Sequence, residues 1–369
     1  EQHGTTGTDA APSQEELENA NDDDLEAARA AGGPSNGDRP SQAVLEEVGY
    51  PESEGGELDD LGPVPGLTNV HETYNLPKGT KLDAAFLKDK VVIYDFWTYS
   101  CINCIRTLPY LRTWHERYAE DGLVIVGVHA PEFAFEKDEG NVRDAIADLG
   151  VTWPVATDPE LETWSAFHNH YWPAKYIADR DGNLRYVHFG EGGYEDTEAV
   201  IRELLDKEPS AQALPTPVEV AAATPETYLG GERLNGEQYR GIVQGTSERA
   251  VFDKPATFGI SHPESPLAPD QFAFTGRWTI EGERAVAMGA DSGLQIHYRA
   301  RAVYLVLDAG AAGSATVTVH DSATDGGGTR RVRVSAEKLY TLRDGETPAD
   351  GLLRLEVPKG VSAYAFTFG

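Results

Sequence analysis

Apolar positions along this chain change their rhythm twice. Up to about residue 60 they stand singly among acids, glycines and prolines, with no period. From 63 to 207, continuous apolar runs of strand length ("KVVIYDFW", "GLVIVGVHA") alternate with stretches of helical spacing. Continuous runs of this kind predict strands buried on both faces of a largely parallel sheet. In "NCIRTLPYLRTWHERYAE" the positions Ile105, Leu108, Leu111, Trp114 and Tyr118 predict one long helix. "NVRDAIADLG" predicts a second, ending at Gly150, and "ELETWSAFH" and "TEAVIRELLDK" two more. Between the last two, "AKYIADRDGNLRYVHFG" reads as a hairpin turning at Asp181-Gly182. Beyond residue 226 the rhythm becomes strict alternation broken by glycine-rich turns, as in "QFAFTGRWTIEG", "LQIHYRARAVYLVLDAG" and "RRVRVSA".

These patterns predict an α/β unit with a mixed sheet over 63–207 and an all-β sandwich over 226–369. The Pro/Ala-rich stretch 208–225 reads as a linker between them. Residues 1–62 read as a flexible acidic linker, because so polar a segment cannot bury enough apolar area to offset its ordering entropy. In the sandwich, Phe272, Phe274, Trp278 and Ile280 share one parity and should point inward. His297, Arg299 and Arg301 then point outward, as do Arg331 and Arg333, and together they suggest a basic patch for an anionic glycan or a partner domain.

Charge narrows the choice of partners. The chain carries a formal −30, and residues 1–60 alone hold 17 acids against 2 arginines. Such a field repels phosphate backbones, which argues against nucleic acid. No run approaches the ~20 apolar residues of a membrane helix. The chain begins at Glu1, which suggests a processed protein or the excised soluble portion of a larger one.

Both cysteines of the chain fall in "WTYSCINCIR", where a predicted buried strand gives way to the long helix. Unpaired N–H groups and the macrodipole at a helix N-terminus stabilise an anion, so Cys101 is the expected thiolate nucleophile. Cys104, one turn inward on the same face, is placed to resolve a mixed disulfide formed by Cys101. Asp95, on the entering strand, would be a buried proton relay for Cys104. Pro109 lies inside the helix, and Pro173, just before the hairpin, suits a cis peptide bond. Trp97 and Trp172 are expected as wall residues beside the sulfurs, and His129 as a packing residue.

"DFWTYSCINC" followed by Pro109, with "YWPAKYIADRDG" downstream, resembles the thioredoxin superfamily. Within it the wording is similar to the extracytoplasmic part of DipZ-type cytochrome c biogenesis proteins. Those join a membrane-embedded CcdA-like electron carrier to a TlpA/ResA-like thioredoxin domain and a jelly-roll sandwich resembling a carbohydrate-binding module. The resemblance is strong over 63–207 and looser over 222–369. It implies the roles already given to Cys101, Cys104, Asp95 and Pro173, and adds Glu132, in "GVHAPEF", as an active-site glutamate. Ile102-Asn103 stands where thioredoxin has Gly-Pro, and Ser100 where it has Trp.

The expectation is therefore an extracytoplasmic protein-disulfide reductase, tethered to the membrane and recharged there by a CcdA-like donor. It would need no cofactor beyond the Cys101/Cys104 pair and no metal, and would act on disulfide-containing proteins, with carbohydrate a possible ligand of the sandwich. Two rivals belong to other classes: a glycan- or partner-binding protein with a scaffolding thioredoxin domain, and a metallochaperone. The latter would use the thiols with His168 and His170, since one CxxC supplies only two of the four ligands a structural zinc requires.

Overall fold

The computed structural model describes residues 58, 60–210, 212–218, 220–234, 238–239, 256–260 (backbone alone), 267–323 and 327–369. Most of the acidic segment expected as a linker over 1–62 lies outside the described residues. Its last residues are paired: the Leu61 N–H donates to Leu184 O at 2.9 Å, and the Leu184 N–H donates to Gly62 O at 2.7 Å.

The first unit is built on a six-stranded mixed sheet. Strands β2 (Val91–Trp97) and β3 (Leu123–His129) form its parallel centre, and β3 also pairs in parallel with β4 (Val155–Thr157). The outer strands run antiparallel. Strand β1 (Thr73–Tyr74) pairs with β4, β5 (Ala174–Ala178) with β2, and β6 (Leu184–Phe189) with β5. The pairing of β5 with β6 is the predicted hairpin, turning through Gly182 at φ +86°. The short strand β4 was not expected, because three residues ("VAT") are too few to show a period.

All seven residues of β2 are buried, which explains its uninterrupted apolar run. Val91, Ile93 and Trp97 point to the face covered by α2 (Ile102–Tyr118, numbered after the short α1 at Ala84–Leu87). Helices α3 (Glu139–Asp148) and α5 (Tyr194–Leu204) cover the same face. Val92, Tyr94 and Phe96 face the other side, under α4 (Glu162–Ala166). Helix α2 buries Leu108, Leu111, Trp114 and Tyr118 of the expected stripe, whereas Ile105 is only half-buried and Cys104 takes the inward position beside it.

The second unit is all antiparallel. Its strands are β7 (Thr227–Tyr228), β8 (Ala256–Ile260), β9 (Phe272–Ile280), β10 (Ala285–Ala287), β11 (Gly293–Asp308), β12 (Ala315–Asp321), β13 (Gly328–Val334), β14 (Lys338–Glu356) and β15 (Ser362–Phe368). The first half of β11 pairs with β9 and its second half with β15, with a register shift between Ala300 and Ala302. A strand that changes partner across such a shift carries one layer of a sandwich into the other. Phe272, Phe274, Trp278 and Ile280 all lie in the core, as their shared parity predicts, with Leu294, Ile296, Tyr298, Val332 and Val334.

The two units are packed together. Tyr364 of β15 sits edge-on between Phe133 and Phe135 of the loop after β3, with ring centroids 5.4 and 4.9 Å away. The Arg106 guanidinium on α2 donates to Phe368 O at 3.0 Å. The end of the 208–225 stretch is not free linker either. Ala223 N–H donates to Arg299 O and Arg301 N–H to Ala221 O, which adds an edge to β11.

Candidate active site

Strand β2 ends at Trp97, and after three intervening residues the chain enters α2 with Cys101 as its N-cap. As N-cap, Cys101 places its sulfur over the open end of the helix, where Cys104 N–H donates to Cys101 Sγ at 3.4 Å. Cys101 is half-buried and faces outward, whereas Cys104 is fully buried. Burial pushes the Cys104 thiol well up, and its contact with Cys101 adds to that. The two cysteines are not bonded to each other in this structure. One thiol is therefore open to attack an incoming sulfur, and the other is held back until a base takes its proton.

That base is Asp95. It shares the parity of Ile93 and Trp97, so it points under α2, where its charge is felt by Cys104. It is 1% exposed, and burial lifts its carboxyl to about 6 although the neighbouring Lys175 ammonium pulls it down. Lys175 occupies the register position directly opposite on β5, with Nζ 3.7 Å from Asp95 Oδ1. Sequence reasoning missed Lys175. Its signal was a lone charge inside the apolar run "AKYIA".

Glu136 was missed as well. Fully buried, it accepts from Ser100 Oγ at 2.6 Å and Ser100 N at 3.3 Å, and through its second oxygen from Glu132 N at 2.6 Å and Phe133 N at 3.0 Å. It thereby clamps the turn before Cys101 to the loop bearing Glu132. Burial, with the Glu132 charge second, pushes its carboxyl up to about 7.

A cleft of about 210 Å³ opens over Cys101, between the two units. Trp172, from the segment with the cis Trp172–Pro173 bond, forms one wall, its indole N–H donating to Ala130 O at 3.0 Å. Glu132, also in the wall, accepts from the Tyr228 hydroxyl at 2.6 Å and from Arg233 at 3.1 Å, both in the second unit. Trp97 requires a correction. It is 1% exposed and packs in the core with Cys104, edge-on to His129, so it does not line the cleft. His129 is packing, as expected: burial holds it near 3 and therefore neutral.

The basic patch also requires correction. His297 is bonded to Asp350, Arg299 to Asp270 and Arg301 to Asp344, so each outward cation of β11 is matched by an acid. Arg331 and Arg333 are exposed on β13, with β12 and β14 intervening between them and β11. Alternation identified the outward face but carried no information about the acids that neighbouring strands and loops bring to it. Among the described residues no group of three or more His, Cys, Asp and Glu is arranged to hold a metal ion.

Residues 63–205 match the Redoxin family, and residues 224–369 match the family described as thioredoxin like C-terminal domain. Protein DipZ of Mycobacterium tuberculosis is 35% identical over 322 residues, covering 85% of this chain and 44% of that protein. The chain thus spans less than half the length of that relative. Thiol-disulfide oxidoreductase YkuV of Bacillus subtilis is 29% identical over 143 residues, 39% of this chain and 94% of that one. Among solved structures, the solution structure of a thioredoxin-like protein in the oxidized form is 28% identical, covers 40% of this chain and 97% of that one, and superposes with a TM-score of 0.36.

Proposed function

We propose, from the premise that the chain is a thioredoxin-like protein of the DipZ type, that it is an extracytoplasmic thiol–disulfide oxidoreductase acting as a reductase of protein disulfides. The observation that carries this reading is the half-exposed, N-capping Cys101 above a buried Cys104 that has Asp95 and Lys175 beneath it. The Cys101 thiolate attacks one sulfur of a substrate disulfide. A Cys101–substrate S–S bond forms, the substrate S–S bond breaks, and the first substrate thiolate leaves and is protonated. Asp95 then takes the Cys104 proton, and the Cys104 thiolate attacks Cys101 Sγ. The Cys101–Cys104 bond closes, the second substrate thiolate departs, and two electrons have passed from the dithiol to the substrate.

No further cofactor enters this cycle. The oxidised pair must be recharged with two electrons, and the supplier we propose is a CcdA-like membrane carrier, with the chain tethered beside it on the outer face. No helix among the described residues is long and apolar enough to cross a membrane. The acidic segment 1–60 would hold the folded units clear of an anionic bilayer surface. Cytochrome c maturation, or redox homeostasis related to it, is the process this arrangement would serve.

The test is the midpoint potential of the Cys101/Cys104 couple, read by alkylation after equilibration in graded thiol buffers. A two-electron transition at about −270 mV or lower supports a reductase. A value of about −120 to −180 mV reverses the proposed direction, and no transition removes the redox reading.

A further inference from the structure

The wall of the cleft facing Cys101 belongs to the second unit, and its charges are not balanced. The Tyr228 hydroxyl lies 2.6 Å from Glu132 Oε1 and 3.1 Å from Glu226 Oε2, yet it has one proton to donate. Glu132 has a second partner in Arg233, whereas Glu226 forms no ion pair among the described residues. Once Glu226 is ionised, at a pH of about 8 or above, the side chains of Glu132, Glu226 and Arg233 leave one negative charge in excess. Loss of water and the neighbouring Glu132 charge raise the Glu226 carboxyl, although its side chain is open to the cleft. Thr367, 6% exposed, lines the same cleft, and its buried hydroxyl has no hydrogen-bond partner among the described residues. A site with an unmatched carboxylate is built for a ligand that brings a cation.

We infer that this cleft is a specificity pocket for disulfides with a cationic group close to the reacting sulfur, and that Glu226 of the sandwich is the selecting residue. The volume of about 210 Å³ admits something the size of a side chain, smaller than the usual pocket for a whole ligand. A lysine or arginine flanking a substrate cysteine fits that description. The sandwich then contributes to substrate choice, while the chemistry stays with Cys101 and Cys104. This inference rests on the oxidoreductase reading above.

The experiment uses the reduced full chain with three small disulfides: cystamine (cationic), 2-hydroxyethyl disulfide (neutral) and 3,3′-dithiodipropionate (anionic). Loss of protein thiols, followed at about pH 8, gives each rate. The readout is the cystamine-to-neutral rate ratio in a variant relative to wild type, which cancels intrinsic reactivity. Glu226→Gln should cut the ratio by about fivefold, the effect of one partly exposed charge pair. Glu120→Gln removes the same formal charge just past the far end of α2 and should leave the ratio alone, which separates the pocket from the overall field of −30. An unchanged ratio in Glu226→Gln, or an equal fall in Glu120→Gln, overturns the pocket. Failure of the neutral disulfide to oxidise the wild-type thiols overturns the oxidoreductase reading itself, and the pocket with it.

Discussion

Lys175 and Asp95 face each other across β5 and β2 as an ion pair 3.7 Å apart, each 1% exposed, and neither Lys175 Nζ nor Asp95 Oδ1 has a hydrogen-bond partner among the described residues. Such a pair adds little net stability but is costly to break from one side. The folded Asp95 carboxyl titrates near 6 against an ordinary 3.8, so between these values the unfolded chain releases its proton first and stability falls as pH rises. Replacing Lys175 by Met removes the charge that holds the carboxyl down, so the fall should extend to higher pH. We expect Lys175→Met to be near neutral at pH 4 and to cost about 3–5 kcal/mol at pH 8. Urea denaturation at the two pH values measures this, and a cost independent of pH would mean that the pair is not coupled as described.

The two thiols should separate cleanly towards an alkylating agent. Cys101 is half-exposed, and Cys104 is 0% exposed with its thiol pushed up by burial. The raised Cys104 thiol and its lack of access both disfavour Cys104, so limiting iodoacetamide should modify Cys101 at least about a hundredfold faster. Mass spectrometry of the peptide holding both cysteines reads the site. A companion outcome is that Cys104→Ser accumulates a mixed disulfide on Cys101, whereas Cys101→Ser forms none. Equal labelling of the two cysteines would contradict the geometry.

Much of this site was legible in the sequence because its parts are close along the chain. The strand "KVVIYDFW", the CxxC pair and the helix stripe lie within thirty residues of one another, and period alone joins them. Pro173 was legible from its position before the hairpin, and the cis bond is present there. What was not legible came from register and from the packing of one unit on the other. Lys175 meets Asp95 only because β5 pairs antiparallel to β2 in one register. Glu132 turns out to be held by Tyr228 and Arg233, about a hundred residues away. The supposed basic patch failed for the same reason, since Asp270, Asp344 and Asp350 reach it from other parts of the fold.

Asp95 should act on one chemical step and not the other. Attack by Cys101 on a substrate needs no base inside the fold, whereas attack by the buried Cys104 does. Asp95→Asn should therefore leave formation of the mixed disulfide unchanged and slow its resolution by about a hundredfold or more, the usual worth of a positioned base. In the wild type, the resolution rate should rise with pH through about 6, where Asp95 loses its proton. The variant should lose that inflection, a change that a purely structural role would not produce. Rapid acid quench and mass spectrometry resolve the intermediate, and an unshifted pH profile would assign the base elsewhere.

Glu136 makes the active-site loops sensitive to pH from the stability side. Its carboxylate accepts four hydrogen bonds, yet burial and the Glu132 charge still lift it from 4.5 to about 7. A carboxyl raised on folding stabilises the protein fully below the unfolded value and loses that contribution as pH rises through the folded value. Between about pH 4.5 and 7, Glu136 should therefore make the fold less stable, by on the order of 3 kcal/mol. Glu136→Gln does not titrate and should remove that slope. It should also weaken the clamp, because an amide nitrogen cannot accept the two N–H groups that now meet one carboxylate oxygen. Thermal unfolding followed from about pH 4.5 to 8 should give a declining wild-type curve and a flatter one for the variant. Parallel curves would show that the four donors already hold Glu136 ionised throughout that range.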